Sequence, residues 1–383
     1  MKKSDAYSYV VYFLILLGAV LLGLFVLRPV MAAYSGPINI TVVAVVSFVI
    51  TLIVLPILYE LAHVLGAKAG GYEVLSVNVL YFNFYKKPNK KWSFRFKTFN
   101  GLTGETIVAP KERKNGKPSN PKPMLWFGNM LFFILLLTFI LMFISYGKGE
   151  TSIMKTAFCM AMIIVVLLLF YNILPIELDS KTDGYQLKLI SKQSDILVYN
   201  ELLRLQACDF LGKDKGEIKI FSENITDFAA QIDRMSVYEY IKQAKYYEAI
   251  KLLDMILAQK DNIHYNVGLN IIAEKLFLLL YSSRLEDAKN YYNNVLTSDE
   301  KRDISNSGTM PCIRSYILVS TYIDPSESEI QYATSKADKA YKQVEDAYKD
   351  IEKTLYKGTL EKVKTVHPDW QLISSETNKN DEE

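Results

Sequence analysis

Cysteine and histidine are both scarce in this chain, which holds three of each in 383 residues. Cys159, Cys208 and Cys312 lie far apart in sequence, a spacing that excludes a disulfide framework and a cysteine-type zinc cluster. The net charge is small as well, +3, so the chain lacks the basic excess that marks a nucleic-acid partner. A cleavable leader is also missing from the reading. Met1-Lys2-Lys3 precedes an apolar run too long for the core of a signal peptide, and no cleavage site follows it.

What is abundant is apolar sequence, concentrated in the first half. A helix needs roughly 20 mostly apolar residues to cross the hydrocarbon core, and residues 9–30, 40–66, 124–145 and 153–174 meet that requirement. The loop at 68–123 between the second and third spans carries Lys68, Lys86, Lys87, Lys90, Lys91, Arg95, Lys97, Lys111, Arg113, Lys114, Lys117 and Lys122. Against them stand Glu73, Glu105 and Glu112. Cytoplasmic loops collect lysine and arginine, so this loop reads as cytoplasmic. Both termini follow it to that side, in a multi-pass protein of the cell membrane.

Beyond the spans, residues 191–365 read as soluble amphipathic helices. Two segments, Lys245-Tyr-Tyr-Glu-Ala-Ile-Lys-Leu-Leu-Asp and Arg284-Leu-Glu-Asp-Ala-Lys-Asn-Tyr-Tyr-Asn, look like related hairpin elements. Their alanines, Ala249 and Ala288, lie further apart than the roughly 34 residues of a tetratricopeptide repeat, which predicts an irregular, tetratricopeptide-like cytoplasmic domain. Such arrays are protein-binding surfaces more often than catalytic ones. Tyr246, Tyr247, Tyr291 and Tyr292 are expected to pack the hairpins, and residues 366–383 to form a disordered tail. The predicted fold is thus membrane α-helical, with a small β-hairpin insertion and a C-terminal helical domain. Residues 1–190 make up the membrane part.

Two stretches carry candidate chemistry. Tyr59-Glu60-Leu-Ala-His63 closes the second span, where ionisable groups usually face a bundle interior or a cavity, and Glu60 and His63 share a helix face. The fourth span ends in Asn172-Ile-Leu-Pro175-Ile-Glu177-Leu-Asp179-Ser-Lys-Thr182-Asp183-Gly184. Proline there breaks the helix and frees backbone at a membrane boundary. Both stretches emerge on one side of the membrane. The other histidines, His264 and His367, belong to the cytoplasmic helices.

The pair of stretches resembles the site-2 proteases, the M50 class of intramembrane zinc metalloproteases, over roughly Ile40 to Leu187. That family has a His-Glu-x-x-His helix, a Gly and Asn element matched loosely by Gly128-Asn129, and a later Asn-x-x-Pro segment leading to Asp-Gly. The resemblance implies that Glu60 is the general base, that His63 and Asp183 are zinc ligands, and that Asn172 faces the reacting peptide. Asp179 and Glu177 remain rival carboxylates. It also implies the activity, cleavage of a membrane-anchored protein or peptide client by zinc-activated water. Tyr59 stands where the first histidine ligand belongs. A phenol, with an ordinary pKa near 10, is a ligand only once its proton is displaced. The alternative is therefore a pseudoprotease that keeps the bundle and binds the client as a membrane adaptor. Tyr59 also suits a plain anchor at the membrane interface.

The basic loop has strand character at Tyr72 to Tyr85, where Val74, Ser76, Asn78, Leu80, Phe82 and Phe84 alternate, and again at Trp92 to Val108. The resemblance implies an edge offered to an extended substrate. A small amphipathic sheet resting on anionic lipid fits the same residues. The expected partners are thus a membrane client, the lipid bilayer and a cytoplasmic protein on the helical hairpins.

Overall fold

The computed structural model describes residues 3–87, 91–96, 104–111, 118–146, 153–176, 181–221 and 225–370. The rival carboxylates Glu177 and Asp179 lie outside the described residues, as do 371–383 of the predicted tail. The chain is mostly helical and divides into two compact units, Met1–Asp214 and Lys215–Glu383.

Four helical runs of the first unit are long and apolar enough to cross a membrane. The first joins α1 (Lys3–Leu22) through a π-helical turn at Gly23–Leu27 to α2 (Arg28–Ala32). The others are α3 (Ile40–Gly70), α4 (Lys122–Ser145) and α5 (Ile153–Ile173). The Asn39 side chain starts α3 by accepting from Thr41 N at 3.0 Å. Gly71, at φ +87°, stops it. Pro56 is accommodated inside α3, so the helix outlasts its expected end at 66. Glu60 and His63 follow the first 20 residues of α3, and roughly 20 residues suffice to cross a hydrocarbon core. Phe133, Ile134, Leu141 and Phe170 are exposed, as side chains that face lipid are.

Between α3 and α4 lies one antiparallel sheet of four strands, β1 (Tyr72–Val79), β2 (Phe82–Lys86), β3 (Trp92–Phe96) and β4 (Gly104–Pro110), in the order β3-β2-β1-β4. This corrects the hairpin reading. The alternation through Tyr72 to Tyr85 is interrupted by a turn in which Leu80 takes φ +54°. As a result Val79 pairs with Phe82 and Asn78 with Asn83, and Asn78 does not share a face with Phe82.

After α5 come α6 (Asp183–Leu189) and α7 (Gln193–Leu211). The Tyr72 hydroxyl donates to Asn200 on α7, and Asn200 Nδ2 donates to the Ser119 carbonyl at 2.8 Å. These bonds hold α7 to the first unit, so the division falls after Asp214 rather than at 190.

The second unit comprises α8 (Asp227–Lys242), α9 (Tyr246–Leu257), α10 (Tyr265–Tyr281), α11 (Leu285–Asn290), α12 (Ser298–Asn306), α13 (Met310–Tyr322), α14 (Glu327–Lys342) and α15 (Lys349–Val366). The α8–α9 and α10–α11 hairpins share one turn. Ala244 and Ser283 both have positive φ, Lys245 N bonds Tyr240 O at 2.9 Å and Arg284 N bonds Leu279 O at 2.8 Å. Ala249 and Ala288 are fully buried, as small residues at close helix approaches must be. Tyr291 is buried, but Tyr247 is 69% exposed and does not pack its hairpin. Past α15, His367 stacks on Trp370 at 3.7 Å, so the chain is still packed where the tail was expected to begin.

Arg314 ties this unit together. It is fully buried, with Nη2 3.0 Å from Glu274 Oε2 and Nε 2.9 Å from Glu352 Oε2, and its guanidinium lies over Phe277 at 4.2 Å. The Tyr238 hydroxyl completes the cluster by donating to Glu352 Oε1 at 2.6 Å. Helices α8, α10, α13 and α15 thus meet at one ionic centre. Removing one partner of such a centre strands the others, at a cost of about 3–5 kcal/mol. Arg314→Leu is accordingly expected to lower the stability of the unit by that amount, read as urea unfolding through Trp370 fluorescence with Trp92 and Trp126 replaced by Phe. An unchanged midpoint would contradict the assignment.

Asp233 supplies a pH dependence. It is fully buried, accepts one bond, from Phe221 N at 3.0 Å, and burial pushes its carboxyl up to about 6. Because the folded value lies above the unfolded one, the neutral form is favoured by folding. The stability this contributes is fully present below pH ~4 and is lost as pH rises through about 6, amounting to ~2–3 kcal/mol. Asp233→Asn should flatten that loss between pH 4 and 7 in the same unfolding measurement, and a variant that retains the slope would refute it.

Candidate functional site

The site is assembled from three pieces of the first unit. The last turns of α3 bring Tyr59, Glu60 and His63 onto one side, since residues three and four apart are neighbours on a helix. Asp183 comes from α6, and two features deliver it. Helix α5 ends at Ile173, just before Pro175, and the Thr182 hydroxyl gathers the released backbone. It donates to the Leu174 carbonyl at 2.7 Å and accepts from Ile176 N at 3.2 Å and Tyr185 N at 3.3 Å, capping α6. Gly184 then lets α6 lie against the end of α5, where any Cβ would strike the Ile173 carbonyl.

The third piece is β4. Thr106 Oγ donates to Glu60 Oε2 at 2.6 Å, and Gly104, Glu105 and Thr106 line one wall of a cavity of about 350 Å³. Tyr59, Glu60, His63, Asn172 and Asp183 line the same cavity. All five residues singled out in the sequence are therefore brought together. Thr106, Gln186 and Tyr199 were not anticipated. Nothing in a strand-like loop or an amphipathic helix distinguishes them as site residues, because their role arises only when β4, α6 and α7 close around one cavity.

Hydrogen bonding within the site centres on one oxygen. The Tyr59 hydroxyl donates to Asp183 Oδ2, and His63 Nε2 lies 3.0 Å from that same atom. The other ring nitrogen of His63, Nδ1, faces Glu60 Oε2 at 3.7 Å. A carboxylate accepts only, so a ring nitrogen bonded to it uses its N–H. Further out, the Tyr199 hydroxyl donates to Gln186 Oε1 at 2.8 Å. Burial and the nearby Asp183 carboxylate raise the pKa of that phenol well above its ordinary value, which keeps its proton in place.

Tyr59 is held firmly. Its ring is 2% exposed, stacks on Phe132 of α4 at 4.8 Å and 13° and lies 4.4 Å from the His63 ring. Gly128 of α4 makes room for it, since a Cβ there would meet the ring edge. These contacts overturn the reading of Tyr59 as an interface anchor. They also explain Gly128-Asn129 as a packing element, in which Asn129 Nδ2 bonds the Leu125 carbonyl at 3.1 Å and Oδ1 is buried with no hydrogen-bond partner.

Among the described residues the donor set does not fit a catalytic zinc ion, which takes three protein ligands and a water. Among the described residues no group of three His, Cys, Asp or Glu side chains is placed to hold a metal. His63 and Asp183 supply two ligand types, but they bond each other, and the phenol in third place donates a proton to the carboxylate. Compared with known proteins, the chain matches no family model, no curated protein and no solved structure.

The fit of Tyr59 against α4 gives a direct test. Gly128→Ala should destabilise the protein by about 1–3 kcal/mol through overpacking. Combined with Tyr59→Ser it should cost clearly less than the sum of the two single changes, because the ring is gone. Thermal unfolding in detergent measures the cycle, and strict additivity would show that the ring and position 128 do not meet.

Proposed function

We propose that this chain is a site-2-protease-like protein of the cell membrane that holds a membrane-anchored protein or peptide client at the α3–α6–β4 cavity without hydrolysing it. It spans the membrane four times with both termini cytoplasmic, in keeping with the lysine-rich loop between the second and third spans. The carrying observation is the Tyr59–Asp183 hydrogen bond, which fills with a proton the position where a ligand lone pair would face the metal.

The cavity is suited to an extended segment. β4 ends the sheet and three of its residues line the wall, so a client strand added beside it gains main-chain hydrogen bonds with little demand on sequence. Around it stand Glu60, Asn172 and Asp183, polar groups that match the amides of a helix unwound at its membrane exit. The cytoplasmic unit, read as a tetratricopeptide-like array, supplies the second contact, to the client's soluble part or to a cytoplasmic protein.

A second reading, zinc-dependent cleavage of the client, is favoured by one observation. Glu60, His63, Asn172 and Asp183 line one cavity, and they occur in the chain order that the resemblance to the M50 class implies. Metal content separates the two readings. The purified protein dialysed against zinc is expected to retain well below one equivalent, and Tyr59→His to retain about one, since a second imidazole beside His63 and Asp183 completes the usual count of three protein ligands. Stoichiometric zinc in the unaltered protein, lost in His63→Ala, would overturn the adaptor reading and restore the peptidase.

A further inference from the structure

The second unit holds a smaller cavity, of about 200 Å³. That is below the roughly 300–1,000 Å³ of pockets that enclose drug-sized ligands, so it suits a small molecule rather than a length of chain. Its lining carries charges of opposite sign, Arg234 of α8 and Glu345 just after α14. Burial works against the Arg234 cation, but the Glu345 and Glu274 carboxylates lie near enough to raise its pKa. Among the described residues, however, neither Arg234 nor Glu345 has a side-chain hydrogen bond or an ion pair. An arginine and a glutamate that face one cavity without closing on each other leave a donor and an acceptor open to a guest. The other carboxylate of the lining, Glu352, is already taken, by Arg314 Nε at 2.9 Å and the Tyr238 hydroxyl at 2.6 Å.

Two helix ends of opposite sign meet in the same lining. Thr309 and Met310 stand at the amino end of α13, and the Thr309 hydroxyl donates to Asn270 Oδ1 at 2.6 Å instead of capping the helix. Ala340 lies in the last turn of α14 and Gln343 follows it. The amino end of a helix favours an anion and the carboxyl end a cation. Beside these polar groups Met310, Pro311, Ala340 and Val344 supply apolar wall.

We infer that this cavity binds a free α-amino acid with an apolar side chain, its carboxylate on Arg234, its ammonium on Glu345 and its side chain against Met310, Pro311 and Val344. A simple carboxylic acid would leave Glu345 without a partner, and an amine would leave Arg234 without one. The terminal residue of a peptide carries only one of the two charges. The inference rests on the second unit alone and is independent of the client reading.

The test is calorimetric titration of the full chain in detergent with L-leucine. The comparison ligands are 4-methylpentanoate, which lacks the ammonium, leucinamide, which lacks the carboxylate, and a pentapeptide ending in leucine. Leucine is expected to saturate one site per chain. Each comparison ligand should bind about tenfold or more weakly, the usual loss when one charge-assisted hydrogen bond is removed. Arg234→Gln should weaken leucine by a similar factor. Glu345→Gln should bring leucine down to the level of 4-methylpentanoate without weakening the latter.

The absence of saturable binding by leucine, valine and methionine alike would overturn the inference. So would 4-methylpentanoate binding as tightly as leucine, which would make the cavity a plain carboxylate site, or the pentapeptide binding more tightly, which would make the occupant a chain terminus. Leucine binding untouched by Arg234→Gln would place the amino acid elsewhere on the chain and contradict the assignment. Should either variant fail to fold, the ligand series on the unaltered protein decides alone.

Discussion

The Tyr59–Asp183 hydrogen bond is the contact on which the membrane unit depends. It joins the last turns of α3 to the start of α6, two segments far apart in the chain, in a buried setting where bare polar groups are costly. Around it His63, Glu60 and Thr106 find partners in turn. His63 bridges toward both Asp183 and Glu60, and Thr106 brings the sheet onto Glu60. Packing then serves this bond. Gly128 and Phe132 hold the Tyr59 ring from α4, and Thr182 with Gly184 seats Asp183 on the broken end of α5. A histidine at position 59 would carry no phenolic proton to bind the carboxylate, so Tyr59→His also removes this tie.

Much of this was legible in the sequence, for reasons of length and cost. Four apolar runs are long enough to cross a membrane whatever they pack against, and the cost of ionisable residues at their ends singled out Glu60 and His63, whereas Asp183 was chosen over Asp179 and Glu177 only through the resemblance. The helix break at Pro175 was legible because proline has no N–H to give. The sheet was only partly legible. Strand character was plain, but alternation alone does not reveal a turn, and the left-handed Leu80 reversed which residues share a face. The end of the first unit was misplaced because α7 looks like any amphipathic helix. What binds it, Asn200 to Tyr72 and Ser119, is a polar contact with no periodic signature. The environment of Tyr59 was hidden for the same reason, as Phe132 and Gly128 are one apolar and one small residue within a continuous apolar span.

The two units contain opposite uses of buried charge. In the second, Arg314 is enclosed by two carboxylates and a phenol, with no charge left facing a cavity from the guanidinium itself, and the result is a tie between four helices. In the first, the same kinds of group line a cavity of about 350 Å³, open beside the terminal strand of a sheet. Hydrogen-bonded polar groups that still face space are what a binding site requires, and the proposed client-binding role rests on them.

As donor to Asp183, the phenol of Tyr59 keeps its proton. Ultraviolet difference spectroscopy during zinc titration measures this directly, since a phenol that surrenders its proton to a metal develops a tyrosinate band. No such band is expected up to excess zinc. A band equivalent to one tyrosinate per chain, absent from Tyr59→Phe, would contradict it and make Tyr59 a metal ligand.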